Sequence, residues 1–298
     1  MCSETRPNAK PETVSGQANK TDTQQNEKKI NQLHIMDVRI YKVKNAESCI
    51  TEIVEVKSDS SLDTFTHIVP PFGYPEIIIF VGRTHQIKNI SFTNGVIKGL
   101  YNITQKIDFI PNYHFISIRL QPYGLKQLFD INAVELLNSV IDIAKHPITE
   151  AIFQAIKSAI HIDVSFLKTL IAFIENNAVY PISESTKDFI QLSSETNFKT
   201  IKELSFQHGI GQRTLQRNFK KEVGLTPKEY LRIKRINAIE QKMSFKADVF
   251  EIISDFDFSD QAHFIKEFKQ LRDYTPAEIL RKKLLLSDQL ATPEIISI

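Results

Sequence analysis

Arg213, Gln216, Arg217 and Lys220 are spaced three and four residues apart, with Gln212 just ahead of them, so as a helix they line one stripe. These side chains suit nucleic acid: the Arg fork matches the guanine edge, the Gln amide matches adenine, and Lys is drawn to phosphate. Leu215, Phe219 and Val223 form an apolar ridge on another face. The same arrangement returns 49 residues later without a gap. Gln212 matches Gln261, Leu215 matches Phe264, Arg217 matches Lys266, Phe219 matches Phe268, Lys220 matches Lys269, and Thr226-Pro227 matches Thr275-Pro276. In the second copy Phe264, Phe268 and Leu271 make the ridge, and Gln261, Ala262, Ile265, Lys266 and Lys269 are expected to face outward.

Other elements must hold these faces in place. A shorter helical segment precedes each copy, over Thr200–His208 and Val249–Phe256. Tight turns follow at 209–211 and 257–260, which completes the helix-turn-helix plan twice. Pro227 is tolerated in a first helical turn and opens a further helix, predicted to run to Met243. A lone basic stripe is usually a solvated surface; two copies with matched ridges, turns and Thr-Pro signals favour a DNA reader.

The runs 209–220 and 224–235 resemble the first half of the DNA-binding domain of AraC/XylS transcription regulators. The run 258–264, with Phe268-Lys269 and Tyr274-Thr275-Pro276, resembles its second half. The resemblance spans about residues 195–284. It implies two reading helices in successive major grooves, separated by a linker helix over Pro227–Met243. The positions it places at DNA are Gln212, Arg213, Gln216, Arg217, Gln261, Ala262, Ile265 and Lys266. The chain departs from the family pattern where Asp257 and Asp273 replace glycines, bulky Ile253 replaces a small residue, and Gly211 replaces a helix-opening Ser. Double-stranded DNA is the partner implied. RNA polymerase, a small-molecule effector and a second copy of the chain are further partners that the resemblance leaves open, and no cofactor is implied.

Charge separates the two units. From Lys199 to Lys246 there are 12 Lys and Arg against 4 acidic residues; from Ala247 to Lys283 there are 6 against 8. Phosphate attraction dominates non-specific affinity, so the first unit and the linker helix are expected to supply most of it. The acidic second unit, with Asp255 and Asp257 ahead of its reading helix, also supports a rival: a protein-interaction module whose degenerate helix-turn-helix no longer reads DNA.

The whole chain reads as α+β. Residues 1–32 are a polar, disordered tail; 33–130 form a β-rich domain, sandwich- or barrel-like; 131–194 are a helical connector; 195–286 hold the double helix-turn-helix; and 287–298 are a tail. Helices are expected over Ala133–Ala144, Ile148–Ile160, Ser165–Asn176 and Thr186–Ser193. The front part is similar to the N-terminal domain of one AraC-type subgroup through Val69-Pro70, Glu76–Phe80 and Ile118–Leu125. That similarity implies ligand sensing, dimerisation or both. An enzyme is not expected: His67, His85 and His114 are isolated, no metal-ligand spacing or nucleophile motif occurs, and Tyr74, Phe80, Tyr101, Phe109 and Tyr113 are candidates for a pocket wall that more often serve as core filling. Cys2 and Cys49 fit a reducing cytoplasm, and no signal peptide or membrane span is expected.

Overall fold

A computed structural model describes residues 36–58, 65–81, 85–87, 90–109, 112–193, 201–244, 256, 258, 260–278 and 293–298. The polar tail, Ile253, Asp255, Asp257 and all but the last residue of the helix expected at Val249–Phe256 lie outside these residues.

The front of the chain builds strands β1 (Met36–Lys42), β2 (Ile50–Ser58), β3 (Phe65–Val69), β4 (Glu76–Phe80), β5 (His85–Ile87), β6 (Ile90–Phe92), β7 (Gly95–Lys98), β8 (Gln105–Phe109) and β9 (His114–Leu120). Helix α1 (Gly124–Phe129), strand β10 (Val140–Asp142), and helices α2 (Pro147–Ser158), α3 (Val164–Asn177) and α4 (Glu184–Leu192) follow. Strands pair in a seven-stranded sheet ordered β10-β7-β4-β9-β2-β1, completed by β11 (Glu294–Ser297); β3 pairs with β8, and β5 with β6. β-branched residues at period two make one face of the large sheet apolar. Ile53, Ile77, Ile79, Ile97, Ile116 and Ile118 are almost fully buried there against Leu125 and Leu128 of α1, Ile152 and Ile156 of α2, and Leu167 and Ile174 of α3.

The opposite face carries a row of alternating charge. Lys98, Glu76, Arg119 and Glu52 stand directly opposite one another across β7, β4, β9 and β2. Lys98 Nζ donates to Glu76 Oε1 at 2.7 Å, Arg119 pairs with Glu52, and Ser117 Oγ donates to Glu76 Oε2. Opposite charges facing across strands are the favourable cross-strand pairing, and burial raises the stakes for each.

Two expectations change. Ala133–Ala144 is not a helix but a 3-10 turn (Ala133–Leu136), strand β10 and a second 3-10 turn (Ile143–Lys145). Its spaced apolar residues serve different neighbours: Ala133 and Leu136 are buried in the first turn, Ile143 in the second, and Val140–Asp142 pairs with Lys98–Val96. Residues 287–298, expected as a tail, contribute β11, which lies parallel to β1 with Ile295 opposite Ile40. Ile296 and Ile298 pack on the sheet core, and the backbone bonds Ile298 N to Lys42 O and Lys44 N to Ile298 O extend the pairing.

The back of the chain is helical: α5 (Ile201–Gln207), α6 (Gln212–Val223), α7 (Pro227–Ser244) and α8 (Gln261–Arg272). These elements share one apolar cluster with Leu100 and Tyr123 of the front part and with Ile182 and Phe189 of the connector. Gly224 ends α6 at φ 92°, and an added Cβ would sit 2.8 Å from the Ala133 carbonyl oxygen. Ser183 donates to Glu222 twice, from its backbone N (3.1 Å) and from Oγ (2.8 Å).

Two of these features can be tested by stability. Gly224→Ala meets both a left-handed backbone and the close Ala133 carbonyl, so unfolding measured with urea should show a loss of about 1–3 kcal/mol. For Glu76, burial alone would push the carboxyl up, but Lys98, Arg119 and Ser117 outweigh it and hold it at about 2. A carboxylate depressed in the folded state contributes stability above its unfolded value of about 4.3 and loses it as pH falls. Unfolding free energy should therefore drop by about 2 kcal/mol between roughly pH 6 and pH 3, and Glu76→Gln should flatten that part of the profile.

Candidate DNA interface

Helix α6 buries Leu215, Phe219 and Val223 completely, and α8 does the same with Phe264, Phe268 and, at 3% exposure, Leu271. Aromatic edges lock both: Phe219 meets Phe189 at 4.9 Å and Tyr230 at 5.7 Å between centroids, while Phe264 meets Phe258 at 5.2 Å and Phe268 at 5.7 Å. With the ridges turned inward, Gln212, Arg213, Gln216, Arg217 and Lys220 are all exposed on α6. On α8, Gln261, Ala262, Lys266 and Lys269 are exposed as well. Ile265 differs from the expectation: it is half-buried and packs on the shared apolar cluster, so only part of it faces outward.

The ends of the two helices correspond. Gly224 and Asp273 both adopt left-handed backbone, at φ 92° and 62°. The backbone N–H of each donates to the carbonyl four residues back, on Lys220 and Lys269. Asp273 thus takes the position expected for glycine, and Asp is among the residues that best tolerate it. At its start α6 has Gly211 with no side-chain cap, whereas Asp260 caps α8 by accepting from His263 N at 2.8 Å.

The two Thr-Pro signals prove to be capping boxes, a role that sequence reasoning missed. Thr226 N and Oγ1 donate to Glu229 Oε2 at 2.8 and 2.7 Å, and Glu229 N returns to Thr226 Oγ1. Thr275 and Glu278 repeat the pattern, both donations at 2.8 Å. The signal was present as Thr-Pro-x-Glu in both copies, a capping threonine with its glutamate three residues on.

Cations divide into two groups. Arg235 Nη2 donates to Glu267 Oε1 at 2.7 Å, Arg232 is bonded to Gln270, and Arg272 Nε donates to Glu240 Oε2 at 2.8 Å. Arg235 also lies over the Phe258 ring at 4.6 Å. Lys234 is half-buried, with its Cδ 3.8 Å from where a Cβ on Gly73 would be, and burial lowers its pKa. Most of the linker helix's positive charge is thus turned toward α8 and the front domain. By contrast, Arg213, Arg217, Lys220, Lys266 and Lys269 have no ion pair among the described residues. The acidity of the second unit is also partly structural: Asp260 caps α8, Glu267 faces Arg235, and Glu278 closes a capping box.

Phe80, Tyr101 and Tyr113 are buried, as their reading as core residues anticipates. Tyr74 and Tyr101, with Val69, Pro70, Phe72, Lys98 and Gln105, line a small cavity beside the charge row. Among the described residues no group of His, Cys, Asp or Glu could hold a metal ion, and no helix is long and apolar enough to cross a membrane.

Residues 204–282 match the model of a helix-turn-helix domain, and residues 47–142 match that of a domain of unknown function. The chain is similar to ToxT from Vibrio cholerae at 13% identity, covering 85% of this chain and 100% of that one with a TM-score of 0.41. It is also similar to the C-terminal domain of AraT, a response regulator from Geobacillus stearothermophilus: 19% identity, 34% of this chain, 87% of that one, TM-score 0.31. A third similar structure is the AraC-like transcriptional activator CuxR, at 14% identity, 72% of this chain, 90% of that one and a TM-score of 0.27. No curated protein matches the sequence. With its repeated motif and its matched domain, the chain carries a helix-turn-helix domain toward its C-terminal end, behind a β-rich region.

Proposed function

We propose that the chain binds double-stranded DNA sequence-specifically and reads two blocks about one helical turn apart, one with α6 and one with α8. In the first unit Gln212, Arg213, Gln216 and Arg217 face bases and phosphates and Lys220 faces phosphate. In the second, Gln261, Ala262, Lys266 and Lys269 do so, with Ile265 offering its exposed edge to an apolar base contact such as a thymine methyl. One observation carries this reading. Among the described residues the cations on the exposed stripes of α6 and α8 have no ion pair, while the arginines between the two helices are engaged inside the domain. A solvated helix face has no need of such partition, whereas a phosphate surface requires free cations. The front domain is proposed to hold the regulatory input, since it shares an apolar core with both units.

Salt provides the first test. With five cations on the two stripes, affinity should fall by about 10²–10³-fold between roughly 50 mM and 200 mM salt. A flat response would favour the interaction-module reading. Arg217→Ala should cost about 1–3 kcal/mol and relax preference at one base pair, measured by titrating single-substitution duplexes. Lys266→Ala should cost less, because a lysine point charge lacks the bidentate fork that Arg217 offers a guanine edge. A larger loss from Lys266→Ala would reverse the ranking of the two units.

A further inference from the structure

The two helix-turn-helix units are held separately, the first by the connector and the second by the front domain, through two side chains outside both reading faces. Asn237, on the linker helix, uses both ends of its amide. Its Nδ2 donates to the Phe72 carbonyl at 3.0 Å, and its Oδ1 accepts from Arg272 Nη2 at 2.6 Å. A guanidinium only donates and a carbonyl only accepts, so this amide has one workable orientation. Arg272 is the last residue of α8, is 2% exposed, and is held further by Glu240 and by the Leu271 carbonyl. Beside it, Thr104 Oγ1 donates to the Leu271 carbonyl at 2.8 Å. A helix leaves its last four carbonyls without internal partners, and here the front domain supplies one. Gly73, at φ 85°, lets the neighbouring loop lie against Tyr230, Ile233 and Lys234 of α7.

The first unit is anchored elsewhere, through Gly224 against Ala133 and through Ser183 to Glu222. Two anchorages, one on the connector and one on the sheet domain it packs against, define the angle and separation of α6 and α8. We propose that Asn237 and Thr104 are positioning residues for the second reading helix, so that the front domain sets which spacing between two DNA blocks the protein accepts. This rests on the two-block reading above.

Asn237→Asp separates the two bonds. A carboxylate keeps Arg272 as its partner but turns an oxygen toward the Phe72 carbonyl, which cannot donate. Thr104→Val removes the other bond with little change of shape. The double variant of the full chain leaves every reading residue and the first unit's anchorage in place. The probe is a duplex carrying the sequence that the wild-type full chain enriches from a random pool, with versions lengthened or shortened by a base pair between blocks and one holding the first block alone.

Wild type should discriminate against the altered spacings. In the double variant that discrimination should fall by about tenfold, the scale of losing two ordinary hydrogen bonds, while affinity for the single-block duplex stays unchanged. Asn237→Gln or Thr104→Ser, which retain the donors, should lose less. Unchanged spacing discrimination in the double variant would overturn the positioning role. An equal loss on all duplexes would also overturn it, because it would mark a general structural defect. If wild type itself binds the single-block and two-block duplexes equally, the two-block reading fails, and this proposal with it.

Discussion

Everything in the helical half of this protein depends on one shared apolar cluster. Leu215, Phe219 and Val223 from α6, Tyr230, Ile233, Ile236 and Ile239 from α7, and Phe264, Phe268 and Leu271 from α8 are buried together. Burying those ridges fixes the rotation of each helix about its own axis, and helical geometry then leaves the opposite stripe no place but solvent. The exposed Arg, Lys and Gln side chains are a consequence of that packing. Because Leu100 and Tyr123 of the front part enter the same cluster, the two halves of the chain cannot move independently without exposing apolar surface.

Electrostatics adds a second level of order. Arg232, Arg235 and Arg272 hold the helices to one another, and the partners of Arg235 and Arg272, Glu267 and Glu240, are themselves mostly shielded from water. Shielded pairs in good geometry are costly to break, so they serve orientation more than net stability. The sheet domain follows the same logic in the Lys98–Glu76–Arg119–Glu52 row, where each charge faces its opposite across a strand. Net charge counted along the sequence therefore overstates what α7 offers to a phosphate backbone, and it understates the second unit, whose acidic residues partly cap and brace.

The repeat made the helical half legible. Two copies in a fixed register placed the ridges, the turn before α6, the linker helix and the left-handed position at Asp273, because these features are local. The capping boxes were equally local and could have been read from Thr226 to Glu229 and from Thr275 to Glu278. What could not be read this way was set by distant partners. Ala133–Ala144 has the spacing of a helix, but its centre pairs with β7. Glu294–Ser297 looks like a tail, yet it finds β1 more than 250 residues away. The half-burial of Ile265 and the engagement of Arg235 also depend on what packs across from them.

Selection of bound duplexes from a random pool by the full-length protein is the most direct measurement of the central claim, that both exposed stripes read DNA. The expected result is an enriched motif of two blocks separated by about one helical turn, and in Arg217→Ala the preference for guanine at one position of the first block should disappear. A single enriched block would contradict the role given to α8, and no enrichment at low salt would contradict the DNA-reading account altogether.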